Sequence, residues 1–209
     1  MLTWQAADGI GLEGVRIQRA QGGLRALGRL VRPGFTASYR LIVGDDDVVQ
    51  RVSLTSATAA RERHLTLNRR EDGLWLADSG SGSTRPAFDG ALDVDVEFSA
   101  LYNSLPIRRL GLQREPGDES VPMVFVSLPD LEPQLVTQRY HTISPEADGR
   151  AVVGFSWDDF EAELVVDANG FVVEYPQIAT LVAATEVPRP APSASATPPA
   201  TPAAGAAAS

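Results

Sequence analysis

The sequence predicts an all-β domain, mainly antiparallel, whose sheet curls into a β-barrel or β-roll with one or two short helices. Turn signals punctuate the chain at short intervals: Gln21-Gly22-Gly23, Arg32-Pro33-Gly34, Gly44-Asp45-Asp46-Asp47, Glu71-Asp72-Gly73, Ser79 to Thr84, Pro116-Gly117-Asp118, Asp148-Gly149 and Asn169-Gly170. Glycine, proline, asparagine and aspartate supply the backbone geometries that tight turns need. Between the turns lie runs of strand length with period-two alternation. Long helical periodicity is scarce. Regular turns joined by short alternating runs point to a sheet that curls into a barrel or roll.

The elements follow in order. In GGLRALGRLV, Leu24, Leu27 and Val31 stand at helical spacing, but Gly22, Gly23 and Gly28 argue against a helix. Leu65 and Leu67 alternate with Thr66 and Asn68. Val94, Val96 and Phe98 alternate with Asp93, Asp95 and Glu97, the pattern of a half-buried strand. Pro106 is expected to open a strand over residues 106–113. Its alternation sends Ile107 and Arg109 to one face and Arg108, Leu110 and Leu112 to the other. FEAELVVDANGFVVEYP reads as a hairpin, with Asn169-Gly170 the favoured pair for a two-residue turn. Residues 177–186 (QIATLVAATE) predict a short C-terminal helix.

Length and composition bound the function. Of 209 residues, 1–187 form one expected domain, and 188–209, rich in Pro, Ala, Ser and Thr, form an expected disordered tail. A net charge of −9 with no basic block excludes a nucleic-acid reader. There is no cysteine, so disulfides, thiolate metal sites and cysteine nucleophiles are excluded. All 18 basic residues are arginine, so no lysine can serve as Schiff base, phosphate-loop residue or general base. No apolar run approaches the ~20 residues of a transmembrane helix, and MLTWQAADGIGLEG lacks the features of a secretory signal. A cytoplasmic location is the expectation.

Motifs for catalysis and metals are weak. Gly9, Gly11 and Gly14 spell G-x-G-x-x-G, but VRIQRAQGG follows where a dinucleotide site needs a helix. Asp93-Val94-Asp95 and Asp45-Asp46-Asp47 read better as a strand and a solvated turn than as cation ligands. His64 and His141 belong to no ligand pattern, and there is no G-x-S-x-G elbow. No catalytic residue, metal ligand or cofactor is assigned.

The chemistry concentrates in DVDVEFSALYNSLPIRRL. If strands 92–98 and 106–113 are neighbours, the carboxylates of Asp93, Asp95 and Glu97 meet an arginine across the sheet, ideally as a bidentate pair. Such a pair either pins the register or holds a polar head group in an apolar cavity, since planar arginine and carboxylate forks suit phosphates and sugar hydroxyls.

These residues resemble a family. DGALDVDVEFSALYNSLPIRRLGL is similar to the signature of the bacterial putative glycolipid-binding family, an Asp-x-Asp strand followed by N-[ST]-LPIRRL. Trp4 with Gly11-Leu12-Glu13 resembles the family's opening W…G-x-E. Phe35 to Leu41, Tyr140 and the run Phe160 to Pro176 resemble its later landmarks. Residues 1–180 are covered. Val48-Val49 departs from the pattern, where members commonly carry a tryptophan. The resemblance implies a curled, incomplete antiparallel barrel similar to lipoprotein-carrier folds, and a lipid or glycolipid-like partner. Its ligand-binding candidates here are Arg108, Arg109, Asp93, Asp95, Asn103, Glu13 and Tyr175. The leading expectation is a non-enzymatic binding protein with an apolar cavity. A hydrolase or isomerase using paired carboxylates in the same cavity, and a structural or interaction module without a small ligand, are the alternatives. The oligomeric state is left open.

Overall fold

The computed structural model describes residues 1–20, 23–146 and 148–185. The expected tail at 188–209 and the domain boundary at 187 lie outside them. The strands are β1 (Leu2–Ala6), β2 (Leu12–Ala20), β3 (Gly23–Arg32), β4 (Phe35–Val43), β5 (Val49–Thr58), β6 (Glu62–Arg69), β7 (Trp75–Asp78), β8 (Ser83–Thr84) and β9 (Asp93–Val96). One helix, α1 (Ala100–Leu110), precedes β10 (Asp118–Val126), β11 (Pro133–Pro145), β12 (Ala151–Trp157), β13 (Phe160–Val166), β14 (Val172–Tyr175) and β15 (Ala179–Ala184).

All fifteen strands form one sheet in the order β8-β7-β6-β5-β4-β3-β2-β1-β15-β14-β13-β12-β11-β10-β9. Every pairing is antiparallel except β9 with β10, and α1 is the crossover that a parallel pair requires. The sheet curls without closing. Its last strand comes back towards β5, where the Val49 N–H donates to the Leu92 carbonyl (3.0 Å). At the opposite end of β5, where β6 begins, Arg61 and Arg63 (3.5 Å for the latter) both pair with Asp130 in the loop between β10 and β11.

Alternation builds the walls. In β4 the side chains of Ala37, Tyr39, Leu41 and Val43 are buried, with exposed Ser38 and Arg40 between them. Trp4 and Trp75 are fully buried, and each indole N–H finds a carbonyl, Val172 (2.8 Å) and Ala91 (3.0 Å).

α1 occupies the interior of the curl, and here the sequence reading is corrected. Residues 106–113 are not a strand. Ala100 through Ile107 are buried without interruption, as in a helix enclosed on all sides. Pro106 sits inside the helix, where its ring and missing N–H ordinarily cost ~3 kcal/mol. Burial of Leu101, Leu105 and Ile107 outweighs that local preference. Gly111 (φ 73°) ends α1 with both bonds of a Schellman motif, Gly111 N–H to Arg108 and Leu112 N–H to Ile107.

Three further expectations change. Residues 179–184 are strand β15, not helix, because β1 and β14 both pair with it. β9 is not half-buried: Asp93, Val94, Asp95 and Val96 are all buried, since α1 packs against the strand as well. The β13–β14 hairpin stands, but its turn is longer than two residues. Gly170 N–H bonds to the Asp167 carbonyl (2.8 Å), Asp167 N–H to the Phe171 carbonyl (2.8 Å), and only Gly170 (φ 80°) is left-handed.

Candidate functional site

Beside α1 the curled sheet holds a cavity of about 390 Å³. Its apolar side is aromatic. Phe125 and Trp157 pack tilted at 45° with 4.6 Å between ring centroids, and Phe155, Phe160 and Tyr175 pack on one another at 6.0 to 6.3 Å. Phe98, Val96 and Ile178 complete it, while Asp95, Glu97, Ser99, Asn103 and Ser127 supply the polar side.

A buried hydrogen-bonded chain runs behind the polar side. Asn103 Nδ2 donates to Tyr140 Oη (3.0 Å), Tyr140 donates to Gln138 Oε1 (2.9 Å), and Gln138 Nε2 donates to Asp95 Oδ2 (2.7 Å). Both ends of this chain line the cavity, and its middle is fully buried. Each link fixes the orientation of the next. Burial pushes the Asp95 carboxyl up to about 6. The Gln138 bond and the Val96 amide oppose the shift and the charge of Glu97 adds to it. Burial likewise raises Tyr140 well above the usual tyrosine range and raises Tyr175.

The start of α1 is held by a strand residue. Glu13 on β2 is buried, and its Oε2 accepts the Ala100 N–H at 2.9 Å. Its Oε1 accepts both the Ser99 hydroxyl and Tyr39 Oη (2.6 Å). Ser99 itself makes no side-chain cap, and the first turn has no acid, so Glu13 supplies what the helix lacks. Burial raises its carboxyl, and these hydrogen bonds pull it back. Two backbone features permit the arrangement. Phe98 takes a left-handed φ of 66°, rare for an aromatic residue, and so turns the chain from β9 into α1. Gly28 leaves room for the Tyr39 ring, which a Cβ would meet at 2.0 Å.

The other end of α1 is anchored by the arginine pair. Arg109 donates from Nε (2.9 Å) and Nη2 (2.7 Å) to Asp93, both to Oδ2. The pair is therefore not a fork onto two oxygens, and among the described residues buried Asp93 Oδ1 has no partner. Burial raises the Asp93 carboxyl and Arg109 opposes the shift. Arg108 reaches the hairpin turn, donating to the Asn169 carbonyl (2.6 Å) and Asp47 Oδ1 (3.4 Å), with its guanidinium 4.9 Å from the Phe171 ring centre. Its Cγ would lie 2.7 Å from a Cβ at position 170, so glycine is required there by close approach as well as by the left-handed φ.

The sequence profile of the putative glycolipid-binding family matches residues 1–180. The chain belongs to that family. Among solved structures, this family member is similar to the crystal structure of a DUF1089 family protein from Pseudomonas aeruginosa, at 26% identity and a TM-score of 0.63, covering 80% of this chain and 91% of that one. No curated protein matches it.

In this member of the putative glycolipid-binding family, the seven predicted site residues divide. Asp95, Asn103 and Tyr175 line the cavity. Glu13 stands one residue behind it, through Ser99. Asp93, Arg108 and Arg109 are not in the lining and hold the far end of α1. Sequence reasoning found Tyr175 but missed the rest of the aromatic side and the linking Gln138, and it named Tyr140 only as a landmark of the family. Phe155 and Trp157, two apart on one strand and followed by Phe160, were the available signal; nothing local marks Gln138. Among the described residues there is no cluster of three or more potential metal-ligating side chains. No described helix is long and apolar enough to cross a membrane.

Proposed function

We propose that this protein binds a small glycolipid-like amphiphile in the cavity beside α1, without catalysing a reaction on it. One observation carries the reading: an aromatic side formed by Phe125, Phe155, Trp157 and Phe160 faces a polar side whose Asp95 and Asn103 are pre-oriented by the buried Gln138 and Tyr140. Aromatic faces suit an alkyl chain or the apolar face of a sugar ring, while a carboxylate and an amide suit hydroxyls. At about 390 Å³ the cavity is near the lower end of the ~300–1,000 Å³ range of ligand pockets. It therefore suits one short chain with one sugar better than a multi-acyl lipid. Membership of the putative glycolipid-binding family supports the same ligand class. In this reading Asp95, Asn103 and Tyr175 touch the ligand, while Glu13, Asp93, Arg108 and Arg109 hold the helix that carries Asn103.

Native mass spectrometry of gently purified protein, together with tryptophan fluorescence during titration with monomeric octyl glucoside, tests the reading; of the three tryptophans Trp157 is the one in the lining. A co-purifying amphiphile or a saturable fluorescence change that Asn103→Ala weakens is expected. Absence of both would remove the proposal.

A second reading rests on Asp95, whose carboxyl titrates at about 6 with Glu97 in the same lining. Such a pair would suit acid–base hydrolysis near neutral pH. Turnover of a nitrophenyl glycoside or ester that Asp95→Asn abolishes would favour it over binding alone.

A further inference from the structure

The outer face of β2 to β5 carries a charge pattern that the cavity does not explain. These four strands contain one acid, Glu13, and it points inward. Their exposed arginines form a cross. Arg16 on β2 and Arg40 on β4 stand directly opposite Leu27 on either side, and Arg25 and Arg29 lie two residues before and after Leu27 on β3. Residues at those offsets share one face of a sheet. Two surface depressions flank Leu27. Arg16, Arg29 and Arg40 line one, with Ser38 and Ser53, and Arg16, Arg25 and Arg40 line the other. Among the described residues none of the four arginines has a carboxylate partner. The centre of the cross is apolar: Leu27 is 42% exposed, and Val31 (41%) and Leu12 (43%) continue along the face.

We propose that this face docks on an anionic phospholipid surface, with lipid phosphates in the two arginine-lined depressions and Leu27 among the upper acyl carbons. The net charge of −9 means the rest of the molecule is repelled from such a surface, so the patch sets one orientation. Exposed leucine and valine between guanidinium groups favour a bilayer over a nucleic acid, which would call for aromatic stacking platforms that this face lacks.

Co-sedimentation of the full chain with vesicles tests this, comparing phosphatidylcholine alone with equal parts phosphatidylcholine and phosphatidylglycerol. Binding is expected only with phosphatidylglycerol, falling as salt is raised. Each arginine replaced should weaken it about fivefold, so Arg16→Gln/Arg40→Gln should lose both depressions, and Leu27→Ser should weaken binding while keeping the charges. Unchanged melting temperatures verify that these exposed replacements leave the fold intact. Equal binding to both vesicles, or undiminished binding by the double variant, overturns the proposal. So does tighter binding to single-stranded RNA than to the vesicles, or self-association that the double variant abolishes.

Discussion

Glu13 and Ala100, 87 residues apart in the chain, are joined by a 2.9 Å hydrogen bond that makes a strand carboxylate the cap of the buried helix. Because Ser99 and Tyr39 donate to the same carboxylate, its removal leaves three donors without an acceptor in the interior. Glu13→Ala is therefore expected to destabilise the fold by about 3 kcal/mol, with Glu13→Gln costing less because one acceptor oxygen remains. Urea unfolding measures both; a loss within the noise for Glu13→Ala would show that α1 needs no cap.

Gly28 belongs to the same unit, although it touches no carboxylate. A methyl group there collides with the Tyr39 ring, so Gly28→Ala should move Tyr39 off Glu13. The costs of Gly28→Ala and Glu13→Ala should then be less than additive, by about 1 kcal/mol in a double-mutant cycle. Strict additivity would mean the two sites are independent.

Asp95 makes stability depend on pH in an unusual sense. Its folded value of about 6 lies above its ordinary value of 3.8, so the folded state favours the proton. The contribution is fully present below about 4 and disappears as the pH rises through about 6, at a cost of roughly 3 kcal/mol. Asp95→Asn, which mimics the protonated form and keeps an acceptor for Gln138, should raise the melting temperature above pH ~7 and leave it nearly unchanged at pH ~4. A uniform shift at both pH values would contradict this account.

Arg109 and Asp93 form the pair that a single substitution damages most. Arg109→Met strands a buried carboxylate and should cost about 3–5 kcal/mol. Adding Asp93→Leu should recover most of it, since an ion pair replaced by apolar groups is often neutral. If the double variant were as unstable as Arg109→Met, Asp93 would have a further partner.

What could be read from the chain, and what could not, follows from the range of each interaction. Turn chemistry and alternation are local, and so the curled sheet and the 160–176 hairpin were legible. The meeting of an arginine with DVDV was legible too, because opposite charges in an apolar run must find each other. Its geometry was not: Pro106 locally favours a strand opening, and only the enclosing sheet makes a helix the better way to bury Leu101, Leu105 and Ile107. The same enclosure buries Asp93 and Asp95, which alternation alone assigns to solvent. Glu13 and Asn103 entered through family resemblance, and Tyr140 only as a landmark of it, whereas Gln138 owes its place to pairings between β10, β11 and β12 that no short stretch of sequence records.

The unclosed sheet has a mechanical consequence. Strand β9, which supplies Asp95 and Val96 to the cavity, pairs in the sheet with β10 alone. Among the described residues it is held towards β5 by side-chain packing, by the Val49–Leu92 hydrogen bond at one end and, beyond the other, by the exposed clasp of Asp130 with Arg61 and Arg63. Exposed ion pairs are worth ~0–1 kcal/mol each, far less than a row of ladder hydrogen bonds. The girth of the cavity is thus set by its weakest seam, a buckle that can part while every hoop of ladder hydrogen bonds stays intact.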